Sequence, residues 1–326
     1  MHWRGWGDPA RASSLPEPVV DLLRQALGVR PSAPPVDLDD VELPEHPLPT
    51  PAYEALVSAV GAEQVRTDAE SRIRHTRGKS TVDLLLIRRG DATDAPDAVV
   101  QPASHPEVMH VLEACSQHRV VVVPFGGGTS VVGGLAPIAR SYTGVVALDL
   151  RRMDRLVELD AESRLAILEP GLLAPRAEEL LRERGFTLGH FPQSYEWASI
   201  GGFAATRSSG QASAGYGRFD ELVVQLQVAT PAGSLSLGRA PRSAAGPDLR
   251  QLVLGSEGAF GVITSVTVQV RPAPEVTVYE GWRFAAFGAG TAAIRRLAQD
   301  GPLPTVLRLS DEAETAIGLV DPAHVG

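Results

Sequence analysis

The sequence predicts an α+β fold, and three stretches predict it. Residues 104–115 carry one apolar helical stripe, residues 120–123 are an unbroken valine run leading into a glycine-rich loop, and residues 262–270 alternate as a strand. The strands between them follow one another with few intervening helices, which excludes a regular βαβ array. With 326 residues and 44% apolar content, the chain can bury the core of one large or two medium domains.

In chain order, residues 19–27 predict a short amphipathic helix, and residues 31–51, with repeated prolines among acidic residues, predict an extended surface run. Residues 53–60 read as helix again, and residues 73–89 as mixed structure. Ala98-Val-Val-Gln101 reads as a short strand. Ser104-His-Pro-Glu107 has the spacing of a capping box, and Val108, Val111, Leu112 and Cys115 form the buried stripe of the helix it opens. Cys115 is then a small core residue.

Residues 120–123 predict a buried strand that enters Pro124-Phe-Gly-Gly-Gly-Thr-Ser-Val-Val-Gly-Gly134. Residues 145–150, 156–159 and 164–168 read as strands, with a turn at 160–163. A helix starts at Pro175, turns Ala177, Leu180 and Leu181 inward, and stops at Gly185. Residues 222–230 form a strand closed by the turn Thr230-Pro-Ala-Gly233. In the last strand Val262, Thr264, Val266, Val268 and Val270 share one face and Ser265, Thr267 and Gln269 the other, until Pro272 and Pro274 end it.

Composition narrows the function. A formal charge of −9 argues against nucleic acid or an anionic membrane as the main partner, so an anionic ligand must be held by backbone amides. The single cysteine excludes an internal disulfide and a cysteine metal cluster, so no metal is expected. No apolar stretch approaches the ~20 residues of a membrane span, and Met1-His-Trp-Arg-Gly-Trp-Gly-Asp-Pro9 has no signal-peptide core. The expected location is the cytoplasm. Lys79 is the only lysine beside many arginines, which with abundant alanine points to a GC-rich genome rather than to a function.

A glycine run after a strand is chemically useful because several backbone N–H groups can converge on phosphate oxygens, and Thr129 and Ser130 add hydroxyl donors. Taken alone it could also be a structural turn, the lesser of the two readings. Val131 stands where G-x-G-x-x-G needs its third glycine, which disfavours a nicotinamide site, and Ile73 spoils Gly78-Lys79-Ser80 as a P-loop. Residues 193–199 mix short polar groups, Ser194 and Ser199 among them, with Trp197, a set suited to bonding and shielding an aromatic ring system. Residues 200–203 permit close backbone approach, and Thr206-Arg-Ser-Ser209 offers further hydroxyls and amides. Residues 257–263 read either as a further backbone grip on the ligand or as a bulge.

This loop resembles the pyrophosphate loop of the FAD-binding domain shared by vanillyl-alcohol oxidase-like and p-cresol methylhydroxylase-like (PCMH-type) flavoproteins. Within that superfamily, Gly189-His-Phe-Pro-Gln-Ser-Tyr-Glu-Trp-Ala-Ser-Ile-Gly-Gly202, Thr206-Arg-Ser-Ser-Gly210, Tyr216-Gly-Arg-Phe-Asp-Glu-Leu-Val223 and Gly255-Ser-Glu-Gly-Ala-Phe-Gly-Val-Ile263 are similar to the alkyldihydroxyacetonephosphate synthase family. Trp3-Arg-Gly-Trp-Gly-Asp-Pro9 and Arg74-His-Thr-Arg-Gly-Lys-Ser80 resemble its bacterial branch.

The resemblance implies a two-subdomain PCMH-type FAD-binding domain at residues 93–275, after an N-terminal segment at 1–92 with its proline-rich linker. Residues 276–326 would begin a cap, or substrate, domain. The family continues to a catalytic tyrosine and a histidine-rich loop, so the chain is expected to be a truncated piece. The implied cofactor contacts are Pro124, Phe125, Gly126, Gly127, Gly128, Thr129, Ser130 and Val131; Gln193, Ser194, Tyr195, Glu196, Trp197, Ala198 and Ser199; Thr206, Arg207, Ser208 and Ser209; and Glu257, Gly258, Ala259, Phe260, Gly261, Val262 and Ile263. Arg308 aligns with a family arginine implicated in activity, a guanidinium fit to hold a carboxylate or phosphate.

The implied reaction exchanges the acyl group of acyl-dihydroxyacetone phosphate for a fatty alcohol through a flavin N5 adduct, without net oxidation. FAD is expected to be non-covalent, because the loop lacks the histidine that relatives use for attachment. His190 is read as a hydrogen-bonded structural residue. An FAD-linked oxidase or dehydrogenase of D-2-hydroxy acids shares the fold and the loop, and a non-catalytic flavin-binding protein is a third reading. The oligomeric state stays open, a homodimer included.

Overall fold

The structure, a computed structural model, describes residues 1–30, 34–45 and 48–318. Part of the proline-rich run, residues 31–33 and 46–47, and the last eight residues of the expected cap segment lie outside the described residues.

The first sheet contains β1 (Val65–Arg66), β2 (Ala98–Val100), β3 (Val120–Phe125) and β4 (Gly144–Asp149) in the order β1-β2-β4-β3. β2 and β3 run parallel to β4, and β1 runs antiparallel to β2. Helices α1 (Glu17–Leu27), α2 (Thr50–Val60), α3 (Ala69–Arg74), α4 (Thr81–Arg88) and α5 (His105–His118) belong to this half of the chain. Ala52 and Leu56 of α2 share one core with Val65, Val100, Val146 and the α5 residues Val108, Val111, Leu112 and Cys115. The expected boundary at residue 92 therefore falls inside a shared core. The predicted stripe of α5 is buried throughout. Its capping box departs by one residue: the Ser104 hydroxyl accepts from the Glu107 N–H, but the Glu107 carboxylate reaches back to the N–H of Ala103 at 2.8 Å.

The valine run of β3 is a correction to the sequence reading. β3 lies at the sheet edge with Val121 to Pro124 only half-buried, whereas β4, between β2 and β3, is buried along its whole length. An edge also tolerates Pro124, which has no N–H to give a ladder. Parallel neighbours need a crossover of roughly a dozen residues or more, usually a helix, and between β3 and β4 that crossover is the glycine-rich loop itself.

The second sheet is antiparallel: β5 (Leu156–Asp160), β6 (Leu165–Leu168), β8 (Val223–Thr230), β9 (Gly233–Leu237) and β10 (Val262–Gln269) lie in the order β5-β6-β10-β8-β9. A small ribbon joins β7 (Phe186–Thr187) to β11 (Arg271–Pro272). Helices α6 (Ala174–Arg182) and α7 (Ile200–Thr206) cover the second core, where Phe203 and Phe219 are the largest fully buried side chains. Register shifts between Ile263 and Ser265 change which side β10 presents. Val262 thus joins the first core while Ile263, Val266 and Val268 join the second, a parity change that unbroken alternation could not produce.

The two halves meet through α5. His105, in its first turn, is 2.7 Å through Nδ1 from Thr264 Oγ1 on β10 and 2.9 Å through Nε2 from Ser234 Oγ on β9. Beyond β11 the chain runs exposed through Val276, Val278, Tyr279 and Trp282 to a helix at Phe287–Asp300.

Asp149 closes β4 and is fully buried, accepting from His75 Nε2 at 3.3 Å, Gln101 Nε2 at 3.1 Å and Arg151 at 2.7 Å. Burial alone would raise its pKa, but the bonds from His75 and Arg151 pull it well below its ordinary 3.8. The folded value lies below the unfolded one, so this stabilisation is complete above about pH 4 and drains as pH falls towards the folded value. Asp149→Ala should cost roughly 3 kcal/mol in urea unfolding at pH 7, the low end for breaking a buried pair because Arg151 is half exposed. The gap between wild type and variant should narrow below pH 3.

Candidate functional site

The glycine loop leaves β3 at Phe125, a buried ring 4.4 Å from the His75 ring that Asp149 holds. A side chain at Gly128 would meet the Phe125 ring, and its φ of +68° suits glycine. Gly126 and Gly127 lie against the other half of the molecule. A Cβ on Gly126 would strike Ser199 Oγ, and one on Gly127 would strike the Trp197 carbonyl. The loop is also tied to the N-terminal half, since the Lys79 N–H donates to the Ser130 carbonyl at 2.6 Å.

Opposite stands residues 191–199, folded by local bonds from Tyr195 N to Pro192 O and from Trp197 N to Ser194 O, both 3.0 Å. Ser199 caps α7 by accepting from Gly202 N at 3.2 Å. The third wall follows the turn into β10: Glu257 N donates to Ala205 O at 3.0 Å, and the Glu257 carboxylate sits where a Gly134 side chain would be. Burial raises the Glu257 pKa. Glu257, Gly258, Gly261 and Ile263 face the cavity, and a bulge follows Ile263.

These walls enclose a cavity of about 1340 Å³, above the ~300–1,000 Å³ of a drug-sized site. It is lined by Pro124 to Val131, by Gln193, Ser194, Glu196, Trp197, Ala198 and Ser199, and by Thr206, Ser208 and Ser209. Five expected contacts lie elsewhere. Tyr195 packs on the second core and against Phe191, Val262 is buried in the first core, and Ala259 and Phe260 sit on the exposed outside of the turn. Arg207 caps α7 with φ +49° and turns away to Leu254 O at 2.9 Å, Gln251 O at 3.0 Å and Asp220 at 3.0 Å.

Arg308 is not brought to the cavity. It lies past β11 with an exposed guanidinium that pairs with Glu314. His190 is buried behind the wall, 2.9 Å from Ser208 Oγ, between Phe203 and Phe219, and burial lowers its pKa to about 4. Sequence reasoning missed Trp6, Gly7 and Lys79, which come from the N-terminal segment, and Phe191 and Pro170. Trp6, Gly7, Lys79 and Phe191 lie in stretches that carry the family resemblance, and Lys79 is also the sole lysine, but nothing local placed them at the cavity.

The residues fit a flavin dinucleotide. Ser130 Oγ is buried and has no protein partner, a donor left over beside three glycines whose main chain is bare. Trp197, Phe191 and Ile263 add the flat apolar lining that an aromatic ring system needs. Among the described residues no group of side chains could hold a metal ion, and no helix is long and apolar enough to cross a membrane.

Comparison with known proteins agrees. Residues 96–237 match the family described as FAD binding domain. The alkyldihydroxyacetonephosphate synthase of Trypanosoma brucei brucei is 36% identical over 340 residues, covering 97% of this chain and 55% of that protein. The mitochondrial D-lactate dehydrogenase (cytochrome) of Arabidopsis thaliana is 37% identical over 221 residues, 66% of this chain and 36% of that protein. A solved alkyldihydroxyacetonephosphate synthase matches with a TM-score of 0.74 at 30% identity, over 85% of this chain and 55% of that one. Substrate-bound p-cresol methylhydroxylase matches in fold, with a TM-score of 0.58 at 21% identity over 72% and 46%. The chain spans about half the length of the synthases it matches.

Gly127→Ala should lower the flavin absorbance per protein of the purified chain at least ~tenfold, because its Cβ forces the two walls apart. Gly281→Ala, with open space around it, should leave the ratio unchanged. From the fold, the cavity and these relatives, the chain carries an FAD-binding domain that shares its fold with p-cresol methylhydroxylase, takes FAD as its cofactor, and is built like alkyldihydroxyacetonephosphate synthases over the length it shares with them.

Proposed function

We propose that this chain provides the flavin site of an alkyldihydroxyacetonephosphate synthase-type enzyme, which exchanges the acyl group of acyl-dihydroxyacetone phosphate for a fatty alcohol. The observation that carries the proposal is the reach of the N-terminal segment into the site. Trp6, Gly7 and Lys79 line the cavity, and the similarity to the synthase runs over 97% of the chain against 66% for the D-lactate dehydrogenase.

When bound, FAD supplies a ring that can react with the dihydroxyacetone-phosphate portion of the substrate or accept hydride. The chain's residues hold and shield it. Main-chain N–H groups at Gly126 to Gly128, with the Thr129 and Ser130 hydroxyls, would hold a phosphate group at the loop. Gln193 and Ser194 would bond the cofactor's polar edges, and Trp197 would keep water from its ring. Arg308 stands outside this cavity, paired with Glu314.

The FAD is held without a covalent bond. None of the described lining residues is a histidine, cysteine or tyrosine able to attach it. Acid precipitation should leave the yellow colour in the supernatant, and colour in the pellet would contradict this.

The D-lactate dehydrogenase likeness supports a second reading, an FAD-linked oxidation of D-2-hydroxy acids. The two separate in one pair of assays. The synthase reading expects labelled long-chain alcohol to enter acyl-dihydroxyacetone phosphate, with no bleaching of bound flavin by D-lactate or glycolate. Bleaching without alcohol incorporation would replace it by the second reading, and bound FAD with neither activity by a non-catalytic one.

A further inference from the structure

Lys79 is the only lysine of the chain and the only cation among the described residues lining the flavin cavity; the other charged ones, Glu196 and Glu257, are acidic. It is 6% exposed. Among the described residues it makes no ion pair. Its ammonium donates instead to the main-chain carbonyls of His2 and Trp3, which uses two of its three donors. A buried ammonium whose hydrogen bonds go only to carbonyls is costly, and an anion at its free donor offsets that cost.

The surroundings point to where that anion sits. The Lys79 main chain is bonded to Ser130 in the glycine loop, Gly78 is packed against the same Ser130 carbonyl, and Ser130 Oγ is the buried hydroxyl without a partner. A buried ammonium in no ion pair among the described residues and a buried hydroxyl without a partner thus belong to two cavity-lining residues whose main chains are hydrogen-bonded to each other. We propose that Lys79 is the counter-ion of a phosphate group bound at the glycine loop, and that the N-terminal segment 1–7 is the strap that positions its ammonium. This rests on the flavin site but not on which reaction the site serves.

The phosphate has two sources of the same chemistry, the pyrophosphate of FAD or the phosphate of a small substrate. Burial, and then the charge of Arg74, lowers the Lys79 pKa to about 8. An anion beside the ammonium raises that value again, so anion affinity is constant below pH 8 and weakens as pH rises through it. The charges facing it are Arg74 on α3 and Asp83 on α4; the Met1 amine and His2 of the strap are shifted below their ordinary 8.0 and 6.5 and so titrate earlier.

Lys79→Met and Lys79→Arg should be compared with wild type in FAD binding to the flavin-free chain and in dihydroxyacetone phosphate binding to the loaded chain. Lys79→Met is expected to weaken one of these ~tenfold or more, with Lys79→Arg restoring most of it, as befits a charge-assisted bond. Loss of FAD affinity assigns the cofactor's pyrophosphate, whereas intact FAD affinity with lost dihydroxyacetone phosphate binding assigns the substrate. Unchanged binding of both in folded Lys79→Met overturns the proposal. Should that variant not fold, wild type decides: affinity for FAD or dihydroxyacetone phosphate must fall between pH 7.5 and 9.5, and flat profiles for both overturn it.

Discussion

The site depends on one close approach. Main chain at Gly126 and Gly127, leaving the edge strand of the parallel sheet, lies directly against main chain and Ser199 at the start of α7, which belongs to the antiparallel half. No side chain fits between them. The contact brings bare N–H groups of the loop to the rim of a cavity whose other walls are Trp197, Glu257 and Ile263. Each half has its own core, and α5 with the His105 bonds keeps them in register.

The loop is braced from behind as well as from the front. Asp149 fixes His75, His75 packs on Phe125, and Phe125 lies under Gly128, so a buried carboxylate at the end of β4 supports the turn that faces the ligand. Charge is otherwise scarce at the cavity. The cavity lining holds two acids and one lysine among the described residues, in a chain whose net charge is −9.

Periodic and turn-marked features were legible in the sequence. The α5 stripe, the turn after β8 and the glycine loop follow from local rules, and the resemblance supplied the flavin. What was not legible depends on neighbours in space. A valine run reads as buried whether it is central or, like β3, at an edge. Perfect alternation in residues 262–270 hides a bulge that sends Val262 and Val266 into different cores. Arg207 sits inside a matching motif, yet its positive φ turns the guanidinium to Asp220 and two carbonyls. Lys79 is distant in sequence from every flavin motif, and only the fold brings it beside Ser130.

The central claim is that the cavity is shaped for a dinucleotide, gripped at the glycine loop and continuous to the Trp197 and Ile263 walls. Equilibrium titration of the flavin-free chain with FAD and with FMN tests it most directly. FAD should bind at least ~100-fold more tightly, because FMN forgoes the contacts of one half of the cavity. Equal affinity for the two flavins, or no binding of FAD, would contradict it.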